Sequence, residues 1–453
     1  MAVTLKTDKT IFIHKNSHSS KATKLSQDVQ IHLCLNAIFV QFYKNSICMR
    51  WIGMIVLLLV VVLLELYAFQ ALKTVSKSKM IRYSWIFVSL AVYFNFLYTA
   101  LTYDRTQGQT PQFQMAMGLL LTVLLPKIVI LLVLFGEDIY RLFLKLFSAL
   151  FSGETQPIAS RRKFISQIAL GLAALPFASF IYGIIQGKYN YKVIKYNLKF
   201  PDLPSAFDGF TITQISDIHS GSFTNKEKIQ YGVDLINEQQ SDILLFTGDI
   251  VNNKADEMDN WIDVFDKLEA KSGKFSILGN HDYGDYMDWK SPVDKAKNFQ
   301  DVKDLHKKIG FDLLLDAHRY LEKDGQKIAL LGVENWGKGF NQSGDLEKAA
   351  KEVKKEDFKI LMSHDPSHWE YKVKQNPFNY QLTLSGHTHG LQMGIEIPGW
   401  IKWSPSQYVY KQWAGLYQEG GRYINVNRGF GYHAFPGRVG IWPEITVITL
   451  RKG

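Results

Sequence analysis

Ser216-Asp217-Ile218-His219 follows the β-prone run 210–215, and three later stretches repeat the arrangement. They are Thr247-Gly248-Asp249 after 242–246, Gly279-Asn280-His281-Asp282 after 275–278, and Gly386-His387-Thr388-His389 after 380–384. Ser363-His364-Asp365 follows the run 359–362 in the same way. Short apolar runs that end in glycine and polar residues read as buried strands. Five strands therefore each deliver Asp, His or Asn at their carboxyl ends, the edge at which open α/β sheets bind their ligands.

Carboxylate, imidazole and amide oxygen, with no thiolate, suit borderline-hard divalent metals such as Mn, Fe and Zn. There are enough ligands for two ions, provided that one carboxylate bridges them at the ~3.5–4 Å spacing of two-metal sites. A single D-x-H carries almost no information. The ordered series D-x-H, GD, GNHD, a lone His and GHTH is specific.

From about Ile194 to the C-terminus this series resembles the calcineurin-like metallophosphoesterases. The resemblance implies a four-layer α/β/β/α domain, two packed sheets with helices outside, over 189–453. It implies one metal held by Asp217, His219, Asp249 and His389, and a second held by Asp249, Asn280, His364 and His387, with Asp249 as the bridge. It also implies that His281 is no ligand and sits over the substrate phosphate. Val426-Asn427-Arg428-Gly429 and Pro443-Glu444-Ile445-Thr446 resemble the membrane-anchored bacterial branch. Tyr432-His433-Ala434-Phe435-Pro436-Gly437 departs from the family pattern, and the resemblance assigns it no role.

The length, 453 residues, suits two to three domains. The first 190 residues are very apolar and poor in acids, whereas the remainder has a mixed, globular composition. The net charge of +10 could suggest nucleic acid, but Lys and Arg in the N-terminal half flank apolar spans. Membrane topology accounts for them better. No nucleic-acid motif occurs, and no nucleic-acid partner is expected. Cys34 and Cys48 are the only cysteines, which excludes a disulfide framework or thiolate metal site in the catalytic part.

Residues 1–48 are polar and rich in Ser, Lys and His, and read as a disordered tail; Met49 offers an alternative start directly before the first span. Spans at 51–72, 83–103, 115–135 and 164–185 each approach the ~20 residues that cross a bilayer, giving a membrane domain over 49–188. Lys73, Lys77, Lys79 and Arg82 lie between the first two spans. Arg141, Lys145, Arg161, Arg162 and Lys163 lie between the last two. Positive loops stay in the cytoplasm. The catalytic domain is thus expected on the outer face of a bacterial cytoplasmic membrane. Ser160-Arg161-Arg162-Lys163-Phe164-Ile165 has the form of a twin-arginine export signal, which would make that export machinery a partner; an ordinary basic flank is the alternative. Glu65 and Lys127, inside spans, stand at depths that allow them to pair.

In the remainder, helices are expected over 225–238, capped by Thr224, and over 261–268 and 299–309. His306, His318, His368 and His433 read as structural. The aromatics between Trp400 and Tyr417 either line a lipid-facing cleft or pack as a loop on the sheet.

The expected chemistry is metal-dependent hydrolysis of a phosphodiester or phosphoanhydride in a lipid or envelope substrate, by in-line attack of a hydroxide bridging two metals. His281 would protonate the leaving oxygen, and Asp282 would orient its ring. One alternative is a UDP-2,3-diacylglucosamine pyrophosphatase-like hydrolase of lipid A metabolism, whose cytoplasmic substrate conflicts with the outward orientation. The other is a non-catalytic membrane sensor that keeps the fold. The complete ligand set favours the enzyme.

Overall fold

The computed structural model describes residues 56–151, 159–397 and 399–453; the expected tail and Met49 lie outside the described residues. Four helices are long and apolar enough to cross a membrane: α1 (Val56–Val75), α2 (Lys79–Leu101), α3 (Pro111–Phe151) and α4 (Ala159–Ile185). Ser78 caps α2, its hydroxyl accepting from the Ile81 amide at 3.4 Å.

The third span differs from expectation. Gly136 weakens the helix after Phe135 but does not end it, and residues 142–150, mostly Leu and Phe with no Gly or Pro, carry it on, so Arg141 and Lys145 lie on α3 rather than in a loop. Helix α3 packs on both α2 and α4. Buried Lys127 donates to Ser89 Oγ at 2.7 Å and to Tyr93 OH at 3.2 Å. Arg162 reaches Glu137 and Asp138, each at 2.7 Å, and so ties α4 to α3.

The remaining chain builds two six-stranded sheets. Its strands are β1 (Lys192–Phe200), β2 (Thr211–Ile215), β3 (Ile243–Phe246), β4 (Lys274–Ser276), β5 (Asp312–Leu313), β6 (Ala317–Lys323) and β7 (Gln326–Gly332). They continue with β8 (Lys359–Met362), β9 (Leu382–Ser385), β10 (Ile395–Ile397), β11 (Ile401–Trp403), β12 (Gly415–Glu419), β13 (Arg422–Val426) and β14 (Glu444–Lys452). The sheet orders are β1-β14-β2-β3-β4-β5 and β12-β13-β9-β8-β7-β6, while β10 and β11 form a separate hairpin. Strands β2, β3 and β4 run parallel, as do β7, β8, β9 and β13.

Strand β3, Ile-Leu-Leu-Phe, is a continuous apolar run because both its faces are covered. Ile212, Ile243 and Leu245 of one sheet meet Leu330, Ile360 and Leu382 of the other in the central core. The outer face of the first sheet packs on α5 (Lys226–Asn237), α6 (Ile262–Phe265) and α7 (Pro292–Lys308). The outer face of the second packs around Ala349, Trp369 and Val373. These layers are helix, sheet, sheet, helix.

Local chemistry moves several helix ends. Asn225, not Thr224, caps α5, its Oδ1 accepting from the Lys228 amide at 2.8 Å; the Thr224 hydroxyl instead pairs with Tyr189 OH. Helix α6 is short because Asn237 captures the Lys267 carbonyl and the Glu269 amide and draws the chain out of the helix. Helix α7 starts earlier than expected, with Ser291 as cap and Pro292 at the first position, where its missing N–H costs nothing.

The segment that departs from the family pattern joins the catalytic layers to the membrane helices. The Arg438 amide donates to Gly183 O of α4 at 3.1 Å, and Phe435 meets Phe180 edge-on at 5.5 Å. Gly183 is required at this approach, since a Cβ there would lie 2.6 Å from Arg438 O. On α3, Gln114 donates to Ser222 Oγ at 3.0 Å.

Candidate metal centre

Strands β2, β3, β4, β8 and β9 all end at one edge of the two sheets, and the side chains beyond them converge. The turns that aim them are strained. Asp217, His219, Asp249, His387 and His389 all have positive φ, from 49° to 71°. Non-glycine residues rarely adopt this region, and such strain concentrates at functional sites. Backbone bonds hold the turns: the Asp217 amide donates to Gly248 O at 2.9 Å and the His219 amide to Asp249 O at 3.1 Å. Gly386 is required because a Cβ there would strike the Ser216 hydroxyl and the Asp217 carboxylate.

The structure gathers all seven candidate ligands into two adjoining groups. Asp217, His219 and His389 form one, with His389 Nε2 at 3.2 Å from Asp217 Oδ1 and 3.0 Å from His219 Nε2. Asp249, His364 and His387 form the other, and Asn280 Oδ1 joins it at 2.7 Å from His387 Nδ1. Asp249 Oδ2 lies between them, 3.1 Å from His364 Nε2 and 3.6 Å from His219 Nε2.

These donors fit divalent cations. His364 Nδ1 donates to Thr247 O at 2.7 Å, so its buried Nε2, 3.1 Å from Asp249 Oδ2, is the nitrogen available either to meet a cation or to carry a second proton. A lone pair and a carboxylate oxygen at 3.1 Å repel unless positive charge joins them. Burial opposes charge on His364, but the Asp249 carboxylate overrides it and pushes the imidazole up to about 10. Burial likewise opposes ionisation of Asp217, and the His389 ring overrides it, holding the carboxyl below its ordinary range. Each candidate ligand carries a supporting bond of the kind that orients metal sites. His219 Nδ1 donates to Asn252 Oδ1 at 3.1 Å, and His387 Nε2 meets Tyr410 OH at 2.7 Å.

His281 stands beside the two groups and forms with His219 and His433 a further cluster close enough to hold a metal. Its amide donates to Asp249 Oδ1 and its Nδ1 to Asn252 O, each at 2.8 Å. Asp282 does not orient the ring. Its carboxylate accepts from the amides of Asp249, Ile250 and Gly279 at 2.8–3.0 Å and holds the turns in place. The reason is geometric: a residue directly after His281 points away from it and into the loop bases. Burial, together with the neighbouring Asp249 charge, pushes Asp282 up to about 7.

His433 is not the structural residue expected. Its ring stacks on His219 at 4.7 Å, lies 4.4 Å from His281, and its Nδ1 donates to Asn252 Oδ1 at 3.0 Å. No metal-ligand spacing marks it, because it arrives on a loop after the last motif. Asn252, which fixes three of these rings, is missed because it lies outside the motifs and its ring partners are distant in sequence. His306, His318 and His368 are held inside the fold by Ser276, Ala349 O and Ser363. The aromatic segment divides: Tyr410 and Trp413 pack inward, while Trp400 and Tyr408 remain 78% and 77% exposed.

Comparison with known proteins agrees with this geometry. Residues 49–188 match the transmembrane domain described as that of a probable calcineurin-like phosphoesterase, and residues 210–391 match the calcineurin-like phosphoesterase family. The uncharacterized metallophosphoesterase YkuE of Bacillus subtilis is 32% identical over 299 residues, 65% of this chain and 98% of that protein. The chain belongs to the calcineurin-like metallophosphoesterases. It is a membrane member, with the metallophosphoesterase domain following four apolar helices. The phosphodiesterase YaeI of Escherichia coli is 24% identical, over 64% of this chain and 99% of that protein. The transmembrane protein with metallophosphoesterase domain of Danio rerio is 25% identical and covers 60% of each chain.

Proposed function

We propose that this metallophosphoesterase hydrolyses a phosphodiester or phosphoanhydride bond at two divalent ions. The observation that carries the reading is the double cluster meeting at Asp249. Asp217, His219, Asp249 and His389 would hold one ion; Asp249, Asn280, His364 and His387 would hold the other, with Mn, Fe and Zn as candidates. Bound there, the ions supply positive charge to phosphate oxygens and bring the pKa of coordinated water toward neutrality. The name of the E. coli relative supports a diester substrate.

The chain's own residues supply orientation and protons. Asn252 O fixes His281 by its Nδ1–H, so Nε2 is the nitrogen left to face a reacting phosphate; it would hand a proton to the leaving oxygen as the imidazolium, which burial disfavours and the Asp249 charge favours. His433 and Tyr286, ringed around His281 at 4.4 Å each, confine it. No serine or cysteine nucleophile is needed. The basic flanks of α1–α2 and of α4 support an outward-facing catalytic domain, with twin-arginine export as the route.

The test is hydrolysis of bis(4-nitrophenyl) phosphate by the purified full chain with added Mn. Turnover that requires metal and disappears in Asp249→Ala supports the reading. Metal binding without turnover on any diester, monoester or nucleotide-diphosphate lipid would return the chain to the sensor alternative.

A further inference from the structure

The metal centre opens into a cavity of about 550 Å³, in the size range of small-molecule sites. One wall is catalytic, with Asp249, His281 and His387. The opposite wall is a membrane helix: Met117 and Leu121 of α3, one turn apart on the same face, line it directly. Leu121 lies about 9 Å further along the helix axis than Met115, where the apolar stretch begins. The cavity therefore runs from the candidate metal cluster to the apolar stretch of α3.

Its rim is apolar as well. Leu391, which also lines the cavity, is 49% exposed, and the β10–β11 hairpin beside it carries exposed Ile395 and Trp400. Such a patch on a water-facing surface would be a liability, whereas continuous with membrane helices it sits where aromatic side chains favour the lipid interface. Phe435, on the segment that departs from the family pattern, closes the cavity floor against Phe180 of α4.

Resting on the phosphoesterase reading, we propose that the substrate is a membrane amphiphile: a phosphodiester or phosphoanhydride headgroup at the metal centre with one acyl chain lying against Met117, Leu121 and Phe435. The chain enters sideways from the bilayer, past Leu391. The departing segment serves to build this channel by fastening the catalytic loops to α3 and α4. The reaction remains hydrolysis: water adds to phosphorus, the P–O bond to the leaving group breaks, and the proton passes to the leaving oxygen.

The experiment uses the full chain in detergent micelles with Mn and two diesters sharing one leaving group, methyl 4-nitrophenyl phosphate and hexadecyl 4-nitrophenyl phosphate. Leu121→Gln and the space-filling Leu121→Trp should each lower kcat/KM for the hexadecyl ester by roughly tenfold or more, as loss of a few methylene contacts would. Both should leave the methyl ester unchanged, which also shows that the variants fold. Leu132→Gln, at a 65% exposed position of the same helix outside the cavity, should alter neither. Equal loss on both esters, or no loss on the hexadecyl ester, overturns the acyl channel while leaving the phosphoesterase reading intact. Failure of the unmodified protein to cleave either ester sinks both.

Discussion

Asp249 Oδ2 lies 3.1 Å from His364 Nε2, while the other nitrogen of that ring donates to Thr247 O at 2.7 Å. A contact this close needs positive charge, either a proton on Nε2, which the Asp249 carboxylate favours, or a cation. The same carboxylate is 3.6 Å from His219, in the neighbouring cluster. Asp249 Oδ2 thus lies within 3.6 Å of a histidine in each cluster.

Asp249→Ala should therefore lose both metals, whereas Asn280→Ala should weaken only one. Metal content by elemental analysis after dialysis, together with calorimetric titration, checks this. An Asp249→Ala protein that keeps two ions per chain would refute the bridging role.

His281→Ala should keep both metals yet turn over more slowly, by roughly 10²–10⁴-fold for a lost general acid. The deficit should shrink for a nitrophenyl leaving group, which needs little protonation, and persist for an alkyl one. Equal deficits would mean that His281 stabilises the phosphate instead. Loss of a metal would make it a ligand.

Arg161 and Arg162 have two readings that one experiment separates. Arg162 clamps α4 to Glu137 and Asp138 of α3, with Arg161 3.9 Å from Glu137. Lysines would keep that charge pairing but not a twin-arginine signal. Changing both to Lys should strand the catalytic domain on the inner face, so that protease added to spheroplasts no longer digests it. Unchanged digestion would leave the arginines as a helix clamp and topology flank.

Stability should fall in mild acid through His306. This ring is fully buried against Ser276 Oγ and Phe246, and burial pushes it down to about 3. A histidine depressed in the fold contributes stability that is complete above its unfolded value near 6.5 and is lost as pH drops toward 3. Between pH 6.5 and 5 the loss is about 2 kcal/mol. The thermal midpoint should decline over that interval, and less steeply in His306→Gln. Parallel profiles would exclude His306 as the cause.

The sequence by itself determined which candidate ligands the chain carries and their order along it. Asp217, His219, Asp249, Asn280, His364, His387 and His389 were readable because each closes an apolar strand, and in parallel strands that rule puts them on one edge. The four apolar helices were equally readable, since a bilayer crossing needs only local composition and length. Tertiary structure alone decided what depends on distant partners. Positive φ at five of the candidate ligands exists because neighbouring strand ends lock their turns. Asp282 binds loop amides rather than His281, because only the packed loops bring those amides within reach. His433 joins the centre from a loop fastened to α4 through Arg438 and Gly183, a contact between residues some 250 apart. Sequence spacing encodes what a residue is and which strand it ends. Which loop folds over it is set by packing between separate layers, and no local pattern carries that information.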